Sequence, residues 1–418
     1  MHELIWFPSQ GDDLILQLSK GGGQKSSSVY SIRRKALQSV RLPSAGGKWN
    51  KAFYIFLIGK GAIMKKILQI GSAFIGIIVG AGFASGQEVL QYFTSFGLIG
   101  TVGAAVAAIL FAYLGMTLTR LGSRLQTTSH KEAVYKISGH HLGKIVDAVI
   151  IFTLFGVGMV MLAGAGSIVS QQFGLPSFIG ISVMTFLVLL AVMFNIDRVV
   201  GIIGSLTPFL ILAVIIVSVY SFSAMDGSFA ALDPIAKEQP TALPNWIVSA
   251  INYVSFNIAV GAAMALVMGG TERDERTAAL GGLVGGLGIG VLIILSHLAI
   301  FSKIGTVASF EMPMLEIVDR ISPVLGSVYA LILCGMIFNT AVSMFYAFGA
   351  RFTKIGTGKF KRFIAAALAV AFFASFAGFT KLVAFFYPLI GYLGLFLIAA
   401  LIYASIQLPS GARGKLSA

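Results

Sequence analysis

Gly76-Ile77-Ile78-Val79-Gly80-Ala81-Gly82-Phe83-Ala84-Ser85-Gly86-Gln87-Glu88 sits in the middle of a long apolar run. Four glycines fall within eleven residues, and the polar Ser85, Gln87 and Glu88 close the stretch. Each glycine costs a helix interior about 1 kcal/mol relative to alanine. Close helix packing through small-xxx-small faces accounts for the pairs Gly76/Gly80 and Gly82/Gly86. It does not account for three polar side chains at the same depth. Unwinding there frees backbone groups, and a membrane tolerates that only where protein or a watery cavity satisfies them. The stretch therefore predicts a broken membrane helix beside a cavity.

The surroundings agree. Of 418 residues, 57% are hydrophobic and 11% charged, against roughly a quarter charged in a soluble domain. Between Asp147 and Asp197 there is no Asp, Glu, Lys or Arg. Runs of about 20 apolar residues cross the hydrocarbon as helices, and no strand-like alternation competes with them. The fold class expected is an all-α membrane protein.

Ten spans are read from charges and turn residues. Span 1 covers Ile67–Thr94, span 2 Gly97–Gly122, and span 3 runs from about Gly143 to the Gln171–Pro176 turn. Span 4 covers Ser177–Phe194, span 5 Val199–Ala224, and span 6 runs from after Pro244 to Gly269. Span 7 covers Thr277–Ser302, span 8 Ser322–Gly349, span 9 Phe363–Gly378 and span 10 Leu382–Ile406. The net charge is +14. Its bases lie in short loops, which points to membrane orientation and not to nucleic acid. With both termini cytoplasmic, the inside segments after Met64 hold seventeen Lys/Arg, and the outside segments hold Lys237, Lys303, Arg320 and Lys381. A miscounted helix would scramble that asymmetry. A bacterial inner (cell) membrane is the expected location.

Residues 1–63 differ. They carry nine Lys/Arg against three acids, with a glycine triplet at Gly21–Gly23 and a serine triplet at Ser26–Ser28. A disordered basic tail, an organellar transit peptide and translation starting at Met64 are the three readings. Met64-Lys65-Lys66 ahead of an apolar span favours the last. The domain expectation is thus a leader over 1–63 and a transporter domain over 64–418. That domain has repeat one at about 67–224 and repeat two at about 244–406.

Phe256-Asn257-Ile258-Ala259-Val260-Gly261-Ala262-Ala263 on span 6 again joins a polar residue to small ones. Spans 1 and 6 open blocks of five, and five is odd, so the second block is expected inverted. Interrupted segments at matching places of inverted halves mark transporter binding sites. Both spans 1 and 6 are therefore expected to be broken. The substrate-lining candidates are Gly80, Ala81, Gly82, Ser85, Tyr253, Phe256, Asn257 and Ala259. Small residues (Ala259, Ala262, Ala263) leave room for an apolar side chain. The ion-binding or coupling candidates are Gly76, Val79, Glu88, Asn339, Thr340 and Ser343. Glu88 is the one formal charge placed inside a span, and an intramembrane acid is a functional candidate by default.

The run GAGFASGQE at Gly80–Glu88 resembles the first helix of YkvI-type bacterial membrane proteins, regarded as amino-acid permeases of the amino acid–polyamine–organocation superfamily. That resemblance covers Met64 to the end. More distantly, Gly76-x-x-Val79-Gly80-x-Gly82 is similar to the broken helix 1 of LeuT-type sodium symporters, and Phe256–Gly261 to their helix 6. The resemblance implies a five-plus-five inverted-repeat fold. It also implies a sodium site from Gly76, Val79, Asn339 and Thr340, with Asn339 standing where a hydroxyl is the rule. Between Phe152 and Gly166 there is no tyrosine of the kind those symporters place on helix 3.

The function expected is a secondary active transporter, an ion-coupled symporter for a small organic solute, most simply an amino acid. Its partners would be that solute and the lipid bilayer, with Na or H as coupling ion and no other cofactor. The alternative is a permease-fold receptor that binds without transporting. An intramembrane enzyme would need paired acids, histidine clusters or an activated nucleophile, and Glu88 and His297 stand apart in the sequence. A pump would need a nucleotide loop. Gly281–Gly290 has neither a preceding strand nor a following Gly-Lys-Ser/Thr, so tight helix packing is expected there. Cys334 stands alone, without disulfide or metal spacing. His130, His140 and His141 fall in a loop. Glu311–Arg320 predicts an amphipathic surface helix that could act as an external lid.

Overall fold

The computed structural model describes residues 2–8, 13–20, 29–33, 48–126, 130–194 and 207–407. The chain divides into Met1–Lys66 and Ile67–Ala418. In the first unit, strands His2–Pro8, Asp13–Lys20 and Val29–Arg33 pair antiparallel in that order. Within residues 1–63 the described residues are these three strands and the start of the next helix. A helix, Lys48–Ile78, follows.

From Ile67 onward the described chain is helical. Among the described residues, six helices are long and apolar enough to cross a membrane: Ile99–Leu125, Val146–Phe173, Trp246–Gly270, Glu275–Ser302, Pro323–Phe352 and Phe379–Tyr403. They are spans 2, 3, 6, 7, 8 and 10. Shorter apolar helices, Ser177–Met193 and Ile211–Ser223, stand at spans 4 and 5. The Gly358–Ser375 helix stands at span 9, with Lys359, Lys361 and Arg362 in its opening turns. Span 1 is the Lys48–Ile78 helix followed by Ala81–Ser85 and Gln87–Tyr92. Large apolar side chains such as Ile109, Phe186, Val219, Leu331, Phe373 and Phe385 face outward, as a lipid-facing surface requires.

Some boundaries differ from expectation, and one lies outside the described residues. Span 3 is the inner part of a 44-residue helix, His130–Phe173, so the segment expected as a loop with His130, His140 and His141 is helical. The beginning of span 5, expected at Val199, lies outside the described residues. Span 10 starts at Phe379 and runs through Pro388.

The largest correction concerns span 6. Trp246–Gly270 is one unbroken helix, not a broken one. Asn257 turns its amide back to the Tyr253 carbonyl at 2.9 Å, a bond that a regular helix accommodates. Gly261 has a packing role: a Cβ there would come within 2.7 Å of Ile78 and 3.0 Å of Ile77. The small residues of span 6 receive the end of the span 1 helix. They do not unwind.

Spans 2 and 7 make the most extensive contact in the molecule, and spans 3 and 8 are also among the closest pairs. In each pair the members stand five places apart. An inverted five-plus-five repeat exchanges such members, so they meet across its axis. The glycines of span 7 make the first contact close. Gly282, Gly286 and Gly290 face span 2, where a Cβ would lie about 2.2–2.3 Å from the Gly115 carbonyl, the Phe111 carbonyl and Ala108. Gly281, Gly285 and Gly288 face Ile70, Gly71 and Ile75 of span 1. Thr119 adds an interhelical hydrogen bond to the Ala278 carbonyl at 2.8 Å. This is the close backbone packing expected of Gly281–Gly290.

Polar clasps at the span ends fix which ends share a side. Arg124 pairs with Glu275 at 2.7 Å, joining the end of span 2 to the start of span 7. Arg351 pairs with Asp147, joining the end of span 8 to the start of span 3. On the opposite side, Lys303 pairs with Asp226 at 2.5 Å after spans 7 and 5. There too, Gln171 of span 3 exchanges two hydrogen bonds with the Met312 backbone, at 3.1 and 3.0 Å. A ten-span count puts each of these couples on one side, and an odd error in the count would have parted them.

Candidate functional site

Span 1 breaks twice. Gly80 is extended, and its N–H bonds the Ile78 carbonyl at 2.9 Å. That N–H would otherwise close on Gly76, so the Gly76 carbonyl loses its regular partner. Gly86 sits at φ +83°, a conformation that L side chains rarely adopt. A Cβ there would also stand 2.7 Å from Met314. Glycine is thus required at Gly86 by conformation and by space. Between the breaks, the Ala81–Ser85 turn is wholly buried.

Beside the break lies a cavity of about 290 Å³, near the lower end of small-molecule pockets. Span 1 contributes Gly76 to Gly82 and Glu88. Span 6 contributes Phe256, Asn257, Val260 and Met264, and span 8 contributes Met336, Asn339, Thr340, Ser343 and Met344. Val157 and Met161 of span 3 and Tyr387 of span 10 complete the lining. A larger hollow of about 450 Å³ opens among Arg120, Asp274, Glu275 and Arg276 at the turn between spans 6 and 7. It lies at a span end, away from the break.

All six ion or coupling candidates, Gly76, Val79, Glu88, Asn339, Thr340 and Ser343, line the cavity. Of the substrate candidates, Gly80, Ala81, Gly82, Phe256 and Asn257 line it as well. Ser85 does not. It is buried and donates to the Gly82 carbonyl at 2.6 Å while accepting from the Gln87 N–H at 3.1 Å, which stabilises the turn. Ala259 packs instead near Gly394 of span 10. Tyr253 stands one shell back and donates to Glu88 Oε2 at 3.2 Å.

Glu88 is 5% exposed. Its carboxyl fits because Gly82 has no side chain: a Cβ on Gly82 would lie 1.9 Å from Glu88 Oε1. The Tyr253 ring is held by Tyr92, Phe93 and Phe111 at centroid separations of 5.2, 5.1 and 6.2 Å. Phe256 and Tyr387 stack at 4.1 Å and 18° on the cavity wall. Asn339 Oδ1 is buried without a hydrogen-bond partner. No Lys, Arg or His lines the cavity among the described residues. Its polar complement is therefore one carboxyl, amides, hydroxyls and backbone.

Above the cavity, Tyr329 of span 8 donates to the Ala84 carbonyl at 2.7 Å, and Gln91 Nε2 donates to the Thr380 carbonyl at 3.2 Å. The expected amphipathic helix is Pro313–Ile321, with Met314, Leu315, Ile317 and Val318 buried. Glu311 precedes it and accepts from Ser167 of span 3. His297 is buried, with its ring nitrogens 3.0 Å from Thr94 and 2.9 Å from Thr101. It is a satisfied packing histidine, away from the cavity.

The sequence reading missed Tyr387 and the apolar lining. A signal existed for the latter. Met336 and Met344 stand three and four residues either side of Asn339 and Thr340, the spacing that shares a helix face. Val260 and Met264 follow Asn257 by three and seven residues, also on one helix face. Tyr387 carried no such local cue, because it arrives from span 10 through the topology.

No family model matches the chain. It is 28% identical over 337 residues to the membrane protein YkvI of Bacillus subtilis (strain 168), covering 80% of this chain and 94% of that one. It is 26% identical over 329 residues to YyaD of the same organism, covering 78% and 94%. The fold resembles that of MhsT solved with L-phenylalanine, at a TM-score of 0.54 and 15% identity over 82% of this chain and 92% of that one. It resembles inward-facing Mhp1 at 0.53 and 12% identity, over 81% and 75%. It resembles the Eremococcus coleocola manganese transporter at 0.52 and 14% identity, over 88% and 80%. The chain is thus similar in sequence to YkvI and YyaD, and from Ile67 onward it has the LeuT-like, helical fold of a multi-pass membrane protein.

Proposed function

We propose that the chain is a secondary active transporter that moves a small organic solute, an amino acid, in symport with Na or H by alternating access. The reading places it in a bacterial cell membrane with both termini cytoplasmic. The observation that carries it is the position of Glu88. This one carboxyl stands where span 1 breaks, at the wall of a cavity lined by five spans.

A buried carboxylate needs a positive partner or a proton. With no base in the lining, the partner must enter from outside, as the ammonium of a solute or as the coupling ion. A solute carboxylate is suited to the first-turn N–H groups after Gly80, which have no intrahelical acceptor. A cation is suited to the Gly76 carbonyl freed at the break, with Val79, Asn339, Thr340 and Ser343 around the same space. The unpartnered Asn339 Oδ1 supports a donor or cation beside it. MhsT, solved with L-phenylalanine, has the same fold, which supports an amino acid as cargo.

The test is uptake into proteoliposomes holding the purified full chain. Radiolabelled phenylalanine and leucine would be offered with an imposed Na gradient, with a pH gradient, and with neither. Saturable, gradient-driven uptake that Glu88→Gln reduces at least about tenfold is the expected result. Ligand binding with no flux under any gradient would replace this reading with that of a permease-fold receptor.

A further inference from the structure

Four thioethers face the cavity: Met161 from span 3, Met264 from span 6, and Met336 and Met344 from span 8. The chain has 14 methionines, so more than a quarter of them meet in one space lined by twenty residues. Their placement is not uniform. On span 8 the two methionines flank Asn339, Thr340 and Ser343, so one helix face presents a polar centre with a flexible apolar group at each end. On spans 3 and 6, Met161 and Met264 continue the stripes begun by Val157 and by Phe256 with Val260. Met161 and Met336 are 2% and 6% exposed, whereas Met264 is 52% exposed. Two of the side chains are thus backed by packed protein, and one has free space to swing.

Methionine is unbranched, has three rotatable bonds, and carries a polarizable sulfur that favours aromatic contact. A wall made of it can repack around different shapes. A wall of Val, Ile and Leu has fewer rotamers and selects by volume.

We propose that these four methionines are specificity-determining residues. They make the cavity take solutes with an apolar side group, and they let it accept several such groups (linear, branched and aromatic) in place of one. The polar groups by the helix break hold the part of the solute that all of these share. This inference rests on the transporter reading above and names the substrate class of the same site.

A rigid apolar pocket distinguishes one methylene by about 10–200-fold. An adaptable wall should hold its range of affinities well inside that. The experiment is a binding panel on the purified full chain, read as ligand-dependent thermal stabilisation. It uses leucine, isoleucine, methionine, phenylalanine and tryptophan, with glutamate as the acidic control. The variants are Met161→Ile, Met336→Ile and the double change, with Met159→Ile as a buried methionine outside the lining.

The wild type is expected to bind at least three of the apolar amino acids within about tenfold of one another, and glutamate not at all. The double variant should spread that range beyond about tenfold, while Met159→Ile leaves it unchanged. A wild type that binds a single apolar amino acid overturns the inference and leaves the transporter reading standing. So does an unchanged spread in a double variant that melts like the wild type. Failure of every amino acid to bind overturns the amino-acid reading itself, and the inference with it. If the double variant does not fold, each single variant is read on the same panel, and an unchanged spread in both counts against the inference.

Discussion

Tyr253 of span 6 donates its hydroxyl to the carboxyl of Glu88 on span 1 across 3.2 Å. The ring that carries the hydroxyl is boxed in by four other aromatic rings, so it cannot follow if the carboxyl moves. Burial of both partners makes this contact sensitive to any displacement of the broken helix.

Tyr253→Phe keeps the packed ring and removes only the donor. The variant should fold, and its uptake should change in pH dependence more than in maximal rate. Glu88→Gln keeps the shape and removes the titratable group, and should reduce transport at every pH. Initial uptake rates between pH 5.5 and 8.5 check both. A Glu88→Gln protein with wild-type rates throughout that range would remove the carboxyl from the mechanism.

Gly82 and Gly80 form an internal comparison. A methyl at Gly82 would occupy the place of Glu88 Oε1, while a methyl at Gly80 meets nothing within 4 Å. Gly82→Ala should therefore abolish uptake while the protein still reaches the membrane. Gly80→Ala should change stability by no more than about 0.5 kcal/mol, as an unstrained surface-like change does. Paired expression, melting and uptake assays separate the two.

Gly282→Ala places a methyl about 2.2 Å from the Gly115 carbonyl. Overpacking of this kind costs about 1–3 kcal/mol, and here the obstacle is backbone. Yield of monodisperse protein in detergent should fall sharply. Gly358→Ala, which meets nothing within 4 Å, should match the wild type.

Asp233, on the Phe229–Lys237 helix between spans 5 and 6, gives a pH prediction. Lys237 and the Leu98 N–H hold its carboxyl below the usual carboxylate range, through bonds of 2.6 and 2.7 Å. A depressed carboxyl stabilises the fold above the unfolded-state value and loses that contribution as pH falls through the folded-state value. Asp233→Asn should melt earlier than the wild type at neutral pH, and the two curves should converge in acid. A constant gap from pH 7 to pH 3 would show that the effect is not titration.

The spans were legible because long apolar runs leave helices as the only solution. The break in span 1 was legible because four glycines and three polar residues cannot share an undisturbed membrane helix. The same reasoning failed on span 6 for a physical reason. Asn257 finds its acceptor one turn back on its own helix, and the lone Gly261 makes room for Ile77 and Ile78. A polar residue beside small ones has two meanings, and only the neighbouring helix decides between them. Met161 and Met264 escaped notice because apolar residues do not stand out in an apolar chain. Tyr387 escaped because its place depends on how span 10 returns to span 1.

The seam along span 7 bears on how this protein can vary. Glycine has no smaller replacement, so every missense change at Gly282, Gly286 or Gly290 adds atoms where the neighbouring helix leaves no room. The thioether wall behaves in the opposite way, since methionine yields to many shapes. Random mutagenesis should therefore divide the molecule unevenly. The contact between spans 2 and 7 would be purged of changes, while the methionine positions of the cavity wall drift. New cargo preferences could then arise in this chain without disturbing the frame that holds it together.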